Sequence, residues 1–388
     1  MNLATPDTEK RTMQKVLNGT VAFALLVASL PAIAASATVT RAWQFKPESV
    51  KGLEVRNLIG DIRVERGTEA GVHITARTTI DADSQAEAER LLGLIEYRTA
   101  DVGAGSRFDV FLPRAHFPKI YWSGGTHIWW GVSYTEHLGE RIRLVDDRDD
   151  APALRVDLVI RAPAESRLTV DNHLGEIVAN AYSGELRLDG GSGLLRSTNG
   201  EGRLTLDNGS GKVEVVGHRG EVSADTGSGS VTITDCECEV SADTGSGSVE
   251  IQNGSGEAAA STGSGRVTIE NFSGSIEADT GSGSVRARGV SNLRELDVDT
   301  GSGSVEVDGD LSALERLRID TGSGSVNLHS SGMPSMEIRI NTGSGGVDVN
   351  APGATVRESD GIWTVRMKDG AGSGVIDTGS GSVDLTFP

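Results

Sequence analysis

The chain has 388 residues, a formal net charge of −19 and 51 glycines, but only two cysteines and 4% aromatic residues. The acidic balance repels phosphate backbones and anionic lipid, which argues against nucleic acid as a partner. Two cysteines supply neither a disulfide framework nor the four ligands of a structural zinc site. Cys236 and Cys238 are interpreted as small buried residues, because a bridge between positions two apart on one strand would be strained.

The N-terminus is typical of an export signal. Lys10, Arg11 and Lys15 precede an apolar run over 21–30, and Ala32-Ile33-Ala34 supplies small residues for a signal peptidase. The run is shorter than the ~20 residues that span a bilayer. We therefore expect residues 1–34 to be a signal peptide and the mature chain to be exported, periplasmic or at the cell surface, and not membrane-spanning.

The next region, 35–170, is predicted to hold strands, one helix and an insertion. "VRNLIGDIRVERG" at 55–67 has the shape of a repeat unit, and "HITART" alternates as a strand does. Ser84 and Glu87 form a capping box, and apolar residues then recur at helical spacing. The pattern predicts a helix over 83–97 that closes the open N-terminal end of a stack of repeats.

The insertion "RAHFPKIYWSGGTHIWWGVSYTEHLGE" at 114–140 is unlike the rest of the chain. It holds six of the 16 aromatic residues. Two interpretations stay open: a hairpin that folds its rings onto the side of the rod, or a recognition loop, since Trp and Tyr anchor interfaces and stack on sugars. The candidate binding residues are Tyr121, Trp122, Trp129, Trp130 and Tyr134. Histidines ten or eleven apart predict no metal site here.

A repeat dominates the remainder, 171–388. Gly-Ser-Gly begins at 191, 209, 227, 245, 263 and 281, a constant step of 18, and returns at 301, 322, 343 and 379. Each step contains two half-repeats of nine, in which apolar places alternate with polar ones as in a half-buried strand. Glycine would supply the positive φ of a tight corner. The fold class predicted is all-β: a parallel β-helix, or β-solenoid, of 18-residue coils stacked ~4.8 Å apart, whose two ends need covers.

An aspartate precedes most of these corners, in the heptapeptide "DTGSGSV" and its variants. The column comprises Asp171, Asp189, Asp207, Asp225, Asp243, Asp279, Asp299, Asp320 and Asp377, with Ser261 and Asn341 on the remaining rungs. Asp-Thr-Gly-Ser also occurs in pepsin-like proteases, but those enzymes need two apposed loops that share one proton. A column of aspartates is instead predicted to cap turns through a side-chain oxygen.

Three other solenoid functions need residue patterns that this chain does not show. Calcium β-rolls carry an aspartate two places after the second glycine, where this chain has valine, for example Val231 and Val249. The threonine column at Thr226, Thr244 and beyond lies at a corner and does not form the flat array of an ice-binding face. Polysaccharide-acting β-helix enzymes need converging basic or paired acidic residues, and only columns and scattered charges are found.

"NLIGDIRV", the Ala/Glu-rich helix, "LVIRAPAESRLTVDNHLGEIVA" and the glycine repeats together resemble a bacterial family of exported β-strand-repeat proteins labelled "putative adhesins". Auto-transporter adhesin head domains look like relatives of that family. The resemblance implies a β-helical fold and a cell-envelope location, and it supplies no catalytic residues.

The functional hypothesis is a non-enzymatic cell-envelope β-solenoid that presents a surface for contact with an envelope protein or glycan. No cofactor and no catalytic residue is predicted. The alternatives are a calcium-stabilised β-roll-like secreted protein, a polysaccharide-acting β-helix enzyme, and a regulatory protein that binds an envelope-stress or anti-sigma partner.

Overall fold

The computed structural model describes residues 25–26, 35–46, 52–103, 105–121, 133–145 and 151–388. These residues form 29 strands in one sheet and a single helix. The predicted all-β solenoid class is confirmed. No helix in the described ranges has the length and apolar character needed to cross a membrane.

The N-terminal part combines an antiparallel sheet with the first rung of the solenoid. Its elements are β1 (Leu25–Leu26), β2 (Ala35–Phe45), β3 (Leu53–Ile59), β4 (Ile62–Arg66), β5 (Val72–Ala82), α1 (Gln85–Leu92), β6 (Glu96–Val102), β7 (Gly105–Phe111), β8 (Lys119–Tyr121), β9 (Ser133–His137), β10 (Glu140–Val145) and β11 (Ala153–Ala162). Strands β2, β5 and β11 pair antiparallel, and β11 also lies parallel to β4. The antiparallel sheet therefore joins the edge of the parallel stack directly.

Helix α1 exists but is shorter than predicted. The Ser84 hydroxyl caps it by accepting the Glu87 backbone N–H at 3.2 Å. It ends at Gly93, after which the chain extends into β6. The helix packs on β2 and β5, whereas the first rung, β3–β4, is covered by β7 and β11. The backbone edge of the first rung is therefore closed by strand pairing, which satisfies amides that a helix would leave unpaired, while Ala88, Leu91 and Leu92 of the helix add buried side chains to the core at this end.

The regular part of the solenoid is a parallel ladder. Its strands are β12 (Ser166–Leu174), β13 (Ile177–Asn180), β14 (Ser183–Ser192), β15 (Leu195–Asn208), β16 (Val213–Thr226), β17 (Val231–Thr244), β18 (Val249–Thr262), β19 (Val267–Thr280) and β20 (Val285–Thr300). Val231 lies opposite Val249, which lies opposite Val267, and all three are fully buried. This shared interior confirms the stacking of 18-residue coils.

Each coil has one corner between strands and one bend within a strand, whereas two nine-residue half-repeats predict two short strands separated by two turns. The corner is Gly-Ser-Gly, while the bend falls inside each long strand at a residue with positive φ. These residues are Asn199, Gly217, Asp235, Asn253, Asn271 and Gly289, at a step of 18, and Ala181, one step earlier, lies between β13 and β14. In most coils a second positive-φ residue follows three positions later, for example Gly202, Gly220 and Gly256, and the two together redirect the chain while their neighbours keep the ladder pairing.

The corner glycines are required for a different reason from the one predicted. The positive-φ glycines do not include Gly227, Gly229, Gly245 or Gly247. Instead, a Cβ on Gly247 would overlap the carbonyl oxygen of Gly229 in the preceding rung. Glycine is needed at these corners because successive rungs approach too closely for any side chain.

The threonine before each corner links neighbouring rungs. The Thr244 hydroxyl donates to the Gly229 carbonyl at 2.7 Å and accepts the Gly247 N–H at 3.1 Å. Thr226, Thr262 and Thr280 repeat this pair of bonds, and each of these threonines is buried. The corner is thus capped by threonine and not, as predicted, by the neighbouring aspartate.

The C-terminal part uses shorter strands. They are β21 (Val305–Gly309), β22 (Arg316–Thr321), β23 (Val326–Ser330), β24 (Met336–Thr342), β25 (Val347–Asn350), β26 (Thr355–Ser359), β27 (Ile362–Met367), β28 (Gly372–Thr378) and β29 (Val383–Thr386). Strand β28 pairs with β22 on one side and with β24 on the other. Strand β29 likewise lies between β23 and β25. The last rung of the chain is therefore inserted between two earlier rungs.

A hairpin covers part of the rung at each end of the stack. At the N-terminal end β7 pairs with β3, and β6 runs antiparallel to β7. At the C-terminal end β27 pairs antiparallel with both β24 and β26. The expectation that the stack needs covers is met by these hairpins, whose outer strands β6 and β26 carry charged side chains that suit an exposed edge.

Cys236 and Cys238 lie in the interior, 1% and 5% exposed. Their predicted burial is confirmed, but the prediction against a bridge is wrong, since the two residues form a disulfide. Their Cα atoms are 5.4 Å apart, within the range that a disulfide spans. The bend at Asp235, directly before Cys236, departs from the straight strand on which the prediction was based.

Candidate functional site

A groove runs along one outer face of the solenoid, on the second half of each coil. It has a volume of about 800 Å³ and takes its lining from seven consecutive rungs, from the rung of Glu221 to that of Ser373. We call it the long groove. At ~4.8 Å per rung it extends roughly 29 Å along the stack.

Two columns of outward side chains line the long groove. The first contains Glu221, Glu239, Glu257, Ser275, Glu295, Arg316 and Ser373, and the second, two residues further along each strand, contains Ser223, Ser241, Ala259, Glu277, Asp297, Arg318 and Val375. The predicted aspartate column follows two residues later, since Asp225 lies opposite Asp243 and Asp299 opposite Asp320. Strand alternation directs all three columns outward and the intervening valines and alanines inward.

Arginines neutralise the carboxylates at both ends of this face. Towards the N-terminus, Arg203 pairs with Glu221 at 2.8 Å, and Arg187 pairs with Asp207 at 3.1 Å. Towards the C-terminus, Arg316 pairs with Glu295. Arg318 pairs with Asp297 at 3.2 Å. Each pair joins adjacent rungs, so these bonds also hold the stack in register.

The middle of the same face has no such arginines. Within the described part of the chain, none of the following carboxylates has an ion-pair partner: Asp225, Glu239, Asp243, Glu257, Glu277 and Asp279. Burial raises the pKa of Asp225, and the neighbouring carboxylates of Asp243 and Asp207 raise it further. Uncompensated like charge is therefore concentrated at mid-rod.

The carboxylates are spread along the face and do not converge. Among the described residues, no group of three or more His, Cys, Asp or Glu side chains is arranged to hold a metal ion. A ligand that matched this face would have to distribute its charges along the rod axis.

A smaller hollow of about 490 Å³ lies beside the bend, lined by Gly200, Glu201, His218, Arg219 and Glu237 among others. His218 is buried, its Nε2 donates to the Gly202 carbonyl at 3.1 Å, and burial lowers the pKa of its ring. A Cβ on Gly200 would lie only 2.7 Å from His218 Nδ1. The imidazole thus fills interior space, as Phe272 does in a later rung.

Another histidine, His137, belongs to a buried network at the N-terminal end of the stack. Its Nε2 donates to the Val110 carbonyl at 3.0 Å, and burial lowers its pKa to about 4. Asp109 lies nearby and receives a bidentate bond from Arg56 at 2.7 and 3.0 Å. These contacts join β3, β7 and β9, which indicates a structural role.

The predicted aromatic site is only partly within the described residues. Tyr121 ends β8, where its backbone N–H donates to the Pro152 carbonyl at 3.1 Å. Tyr134 lies in β9 opposite Arg143 of β10. The described strands place β10 between β8 and β9, which brings these two positions into one small sheet. Trp122, Trp129 and Trp130 lie outside the described residues, and the binding role of all five remains a prediction.

The sequence reasoning did not identify the long groove or the structural role of the threonines. A signal for the threonines was present, because Thr226 has the same parity in its strand as the apolar Val222 and Ala224 and must face inward with them. The groove had no comparable local signal, since its definition depends on which rungs lie side by side.

The fold and the surface together define a β-solenoid repeat protein with long columns of outward side chains. The family described as Toastrack DUF4097 matches residues 158–308 and 273–388, more than half of the chain. The chain therefore belongs to the Toastrack DUF4097 family.

No curated protein matches the chain. A solved structure of a "putative cell adhesion protein" from Clostridium sporogenes ATCC 15579 is similar at 9% sequence identity, with a TM-score of 0.20, over 90% of this chain and 99% of that one. A likeness this distant carries no argument about what the present chain does.

Proposed function

We propose that this protein is a non-enzymatic cell-envelope β-solenoid that presents its outer faces for contact with a protein or glycan, in the manner of an adhesin. The observation that carries the proposal is the long groove, an open face of seven rungs whose outward side chains are exposed or half-buried and only partly neutralised by each other. A rigid stack can hold such a surface in one geometry without any ligand. The relationship to auto-transporter adhesin head domains is part of this proposal.

Export through a signal peptide at 1–34 is the second element of the proposal, and it rests on the charged, apolar and small-residue segments of the N-terminus. Cell fractionation tests it with two forms of the chain, one complete and one lacking residues 2–34. We expect the complete form in the periplasmic, surface or medium fraction, cleaved near Ala34, and the shortened form in the cytoplasm. Equal cytoplasmic retention of both forms would refute an envelope function.

Contact with glycans through the aromatic insertion is the third element, because Trp and Tyr rings stack on sugars. The purified protein and its Trp129→Ala/Trp130→Ala variant are compared on a glycan array, with Ile362→Ala as a control for an exposed apolar side chain elsewhere. We expect the wild type and the control to bind alike and the tryptophan variant to lose binding. Identical binding by all three would remove the aromatic insertion from the proposal.

A further inference from the structure

Charge along the solenoid is distributed very unevenly. Residues 221–285 carry eleven carboxylates and one basic side chain, Arg266. The 65 residues before them, 156–220, carry nine carboxylates and seven basic side chains, and the 65 after them, 286–350, carry ten and six. The acidic excess of the central band is therefore confined to about four rungs.

The excess of carboxylates in the central band is not a general property of the repeat, as the columns of the long groove show. At both ends, the equivalent positions hold arginines that pair with a carboxylate one rung away, as Arg203 does with Glu221 and Arg318 with Asp297. In the central band the same columns hold Glu239, Glu257 and Glu277, which have no partner among the described residues. Like charges on neighbouring rungs repel each other, so this arrangement is a cost to the free protein that a cationic ligand would remove.

On the rungs of Glu221, Glu239 and Glu257, the next outward position holds a small side chain. Ser223, Ser241 and Ala259 lie in register between the glutamate column and the aspartate column. A ligand backbone can therefore approach the sheet between two rows of carboxylates.

We propose that the central band of the long groove is the docking site for an extended basic segment of a partner polypeptide. The proposal rests on the contact function proposed above and names the chemistry of the partner. A metal ion does not fit, because no three carboxylates converge in the described residues. An extended chain fits because it rises ~3.3 Å per residue, so four or five residues cover the roughly 14 Å from the rung of Glu221 to that of Glu277 and distribute their charges along it.

Two double variants within the same two strands test the location. Glu257→Gln/Glu277→Gln removes two carboxylates of the groove, one from β18 and one from β19. Glu250→Gln/Glu270→Gln removes two from the same strands, but on the other side of the bend and outside the groove. Both variants change the net charge equally, so a difference between them reports position and not total charge.

The probe is a fluorescein-labelled eight-residue peptide of alternating Lys and Thr, with an alternating Glu and Thr peptide as its control. Fluorescence anisotropy with the purified protein at low salt should show binding of the lysine peptide alone, weakening as salt is raised. We expect Glu257→Gln/Glu277→Gln to weaken binding about fivefold, as the loss of two exposed ion pairs would, and Glu250→Gln/Glu270→Gln to leave it within about twofold.

Three outcomes would overturn the inference. Absence of binding to the lysine peptide would remove the basic partner, while the glycan array and the fractionation would still decide the broader function. Equal weakening by the two variants would show attraction to net charge without a site. Displacement of the peptide by equimolar spermidine would assign the groove to small polyamines and not to a polypeptide.

Discussion

The rungs from Leu195 to Thr300 and those after Val305 carry the same Gly-Ser-Gly corner, yet they are stacked in different orders. In the first region, β15 to β20, each rung pairs with the rungs that precede and follow it in the chain. In the second, the spatial order is β22, then β28, then β24, so the last rung to be synthesised lies between two earlier ones. The corner motif therefore specifies how a rung fits its neighbour, but not which neighbour it has.

The two regions also differ in the connections between rungs. Between β19 and β20 the chain needs only the short corner at 281–284, whereas residues 351–371 separate β25 from β28 and include the hairpin β26–β27. A connection of only four residues restricts the next rung to pairing with the rung directly before it. The long excursion leaves the final rung free to return to an inner position.

The largest effect is expected in the last rung, β28–β29, because its inward side chains pack against another rung on each side. Ile376 is fully buried and lies opposite both Ile319 and Ile340. Ile376→Asp should lower the free energy of unfolding by about 4 kcal/mol, since it removes a core side chain and buries a charge. Val375→Asp, next to it but 42% exposed, should change it by less than about 0.5 kcal/mol in urea denaturation. Comparable losses for the two would contradict the assigned faces of β28.

Cysteine pairs test the order of the rungs directly. Val375 lies opposite Arg318 on one side and Arg339 on the other. The pair Arg318→Cys/Val375→Cys should oxidise to a disulfide. Arg318→Cys/Arg339→Cys should not, because β28 lies between these two positions and sets them two rung spacings, ~9.6 Å, apart. Peptide mapping by mass spectrometry identifies the linkage. The opposite result would mean that the C-terminal rungs stack in chain order.

Glycines at a central corner and at the outermost C-terminal corner should differ in their effect on stability. Gly247→Ala should destabilise by about 2–3 kcal/mol, because the added Cβ meets backbone of the preceding rung and the stack cannot separate without losing ladder bonds. Gly346→Ala, in the outermost C-terminal rung, meets nothing within 4 Å and should be neutral or slightly stabilising. Thermal melts of the two variants measure the difference, and equal midpoints would refute close rung approach as the reason for glycine.

A smaller loss of stability is expected at the corner threonines, where a central rung can be compared with the end rung. Thr244→Val removes two hydrogen bonds between buried groups and should destabilise by about 2 kcal/mol. Among the described residues, the Thr342 hydroxyl bonds only to the Gly345 carbonyl of its own corner, at 2.8 Å, and Thr342 is half-buried. Thr342→Val should therefore cost less than about 1 kcal/mol in the same denaturation assay. A larger loss at Thr342 would show that the end rung depends on its threonine as the central rungs do.

The smallest effect is expected from chelation. Carboxylates lie in one column through both regions, but the calcium-binding position of a β-roll is occupied by buried valines such as Val231 and Val249. We expect the thermal midpoint with and without EDTA to agree within about 1 °C. A shift of many degrees would support the calcium-stabilised alternative.

The sequence by itself determined the period, the inward face and the columns. Side chains alternate strictly along a strand, so a spacing of 18 places Val231 over Val213 and Asp243 over Asp225 without knowledge of anything distant. Ser84 and Glu87 located the start of α1 for the same local reason. These features depend on residues within one coil or one helical turn.

Only the tertiary structure decided which elements become neighbours. The exposed edge of any rung offers the same row of N–H and C=O groups, so ladder chemistry does not distinguish β24 from β28 as the partner of β22. For the same reason the sequence did not predict the hairpins at the ends of the stack or the packing of α1 on β2 and β5. It also did not predict how closely successive corners approach each other, which is why they require glycine. The repeat makes the structure of each rung predictable but not the rung it pairs with. All rungs present the same backbone edge, so the pairing depends on the length of the connections between rungs and on long-range packing.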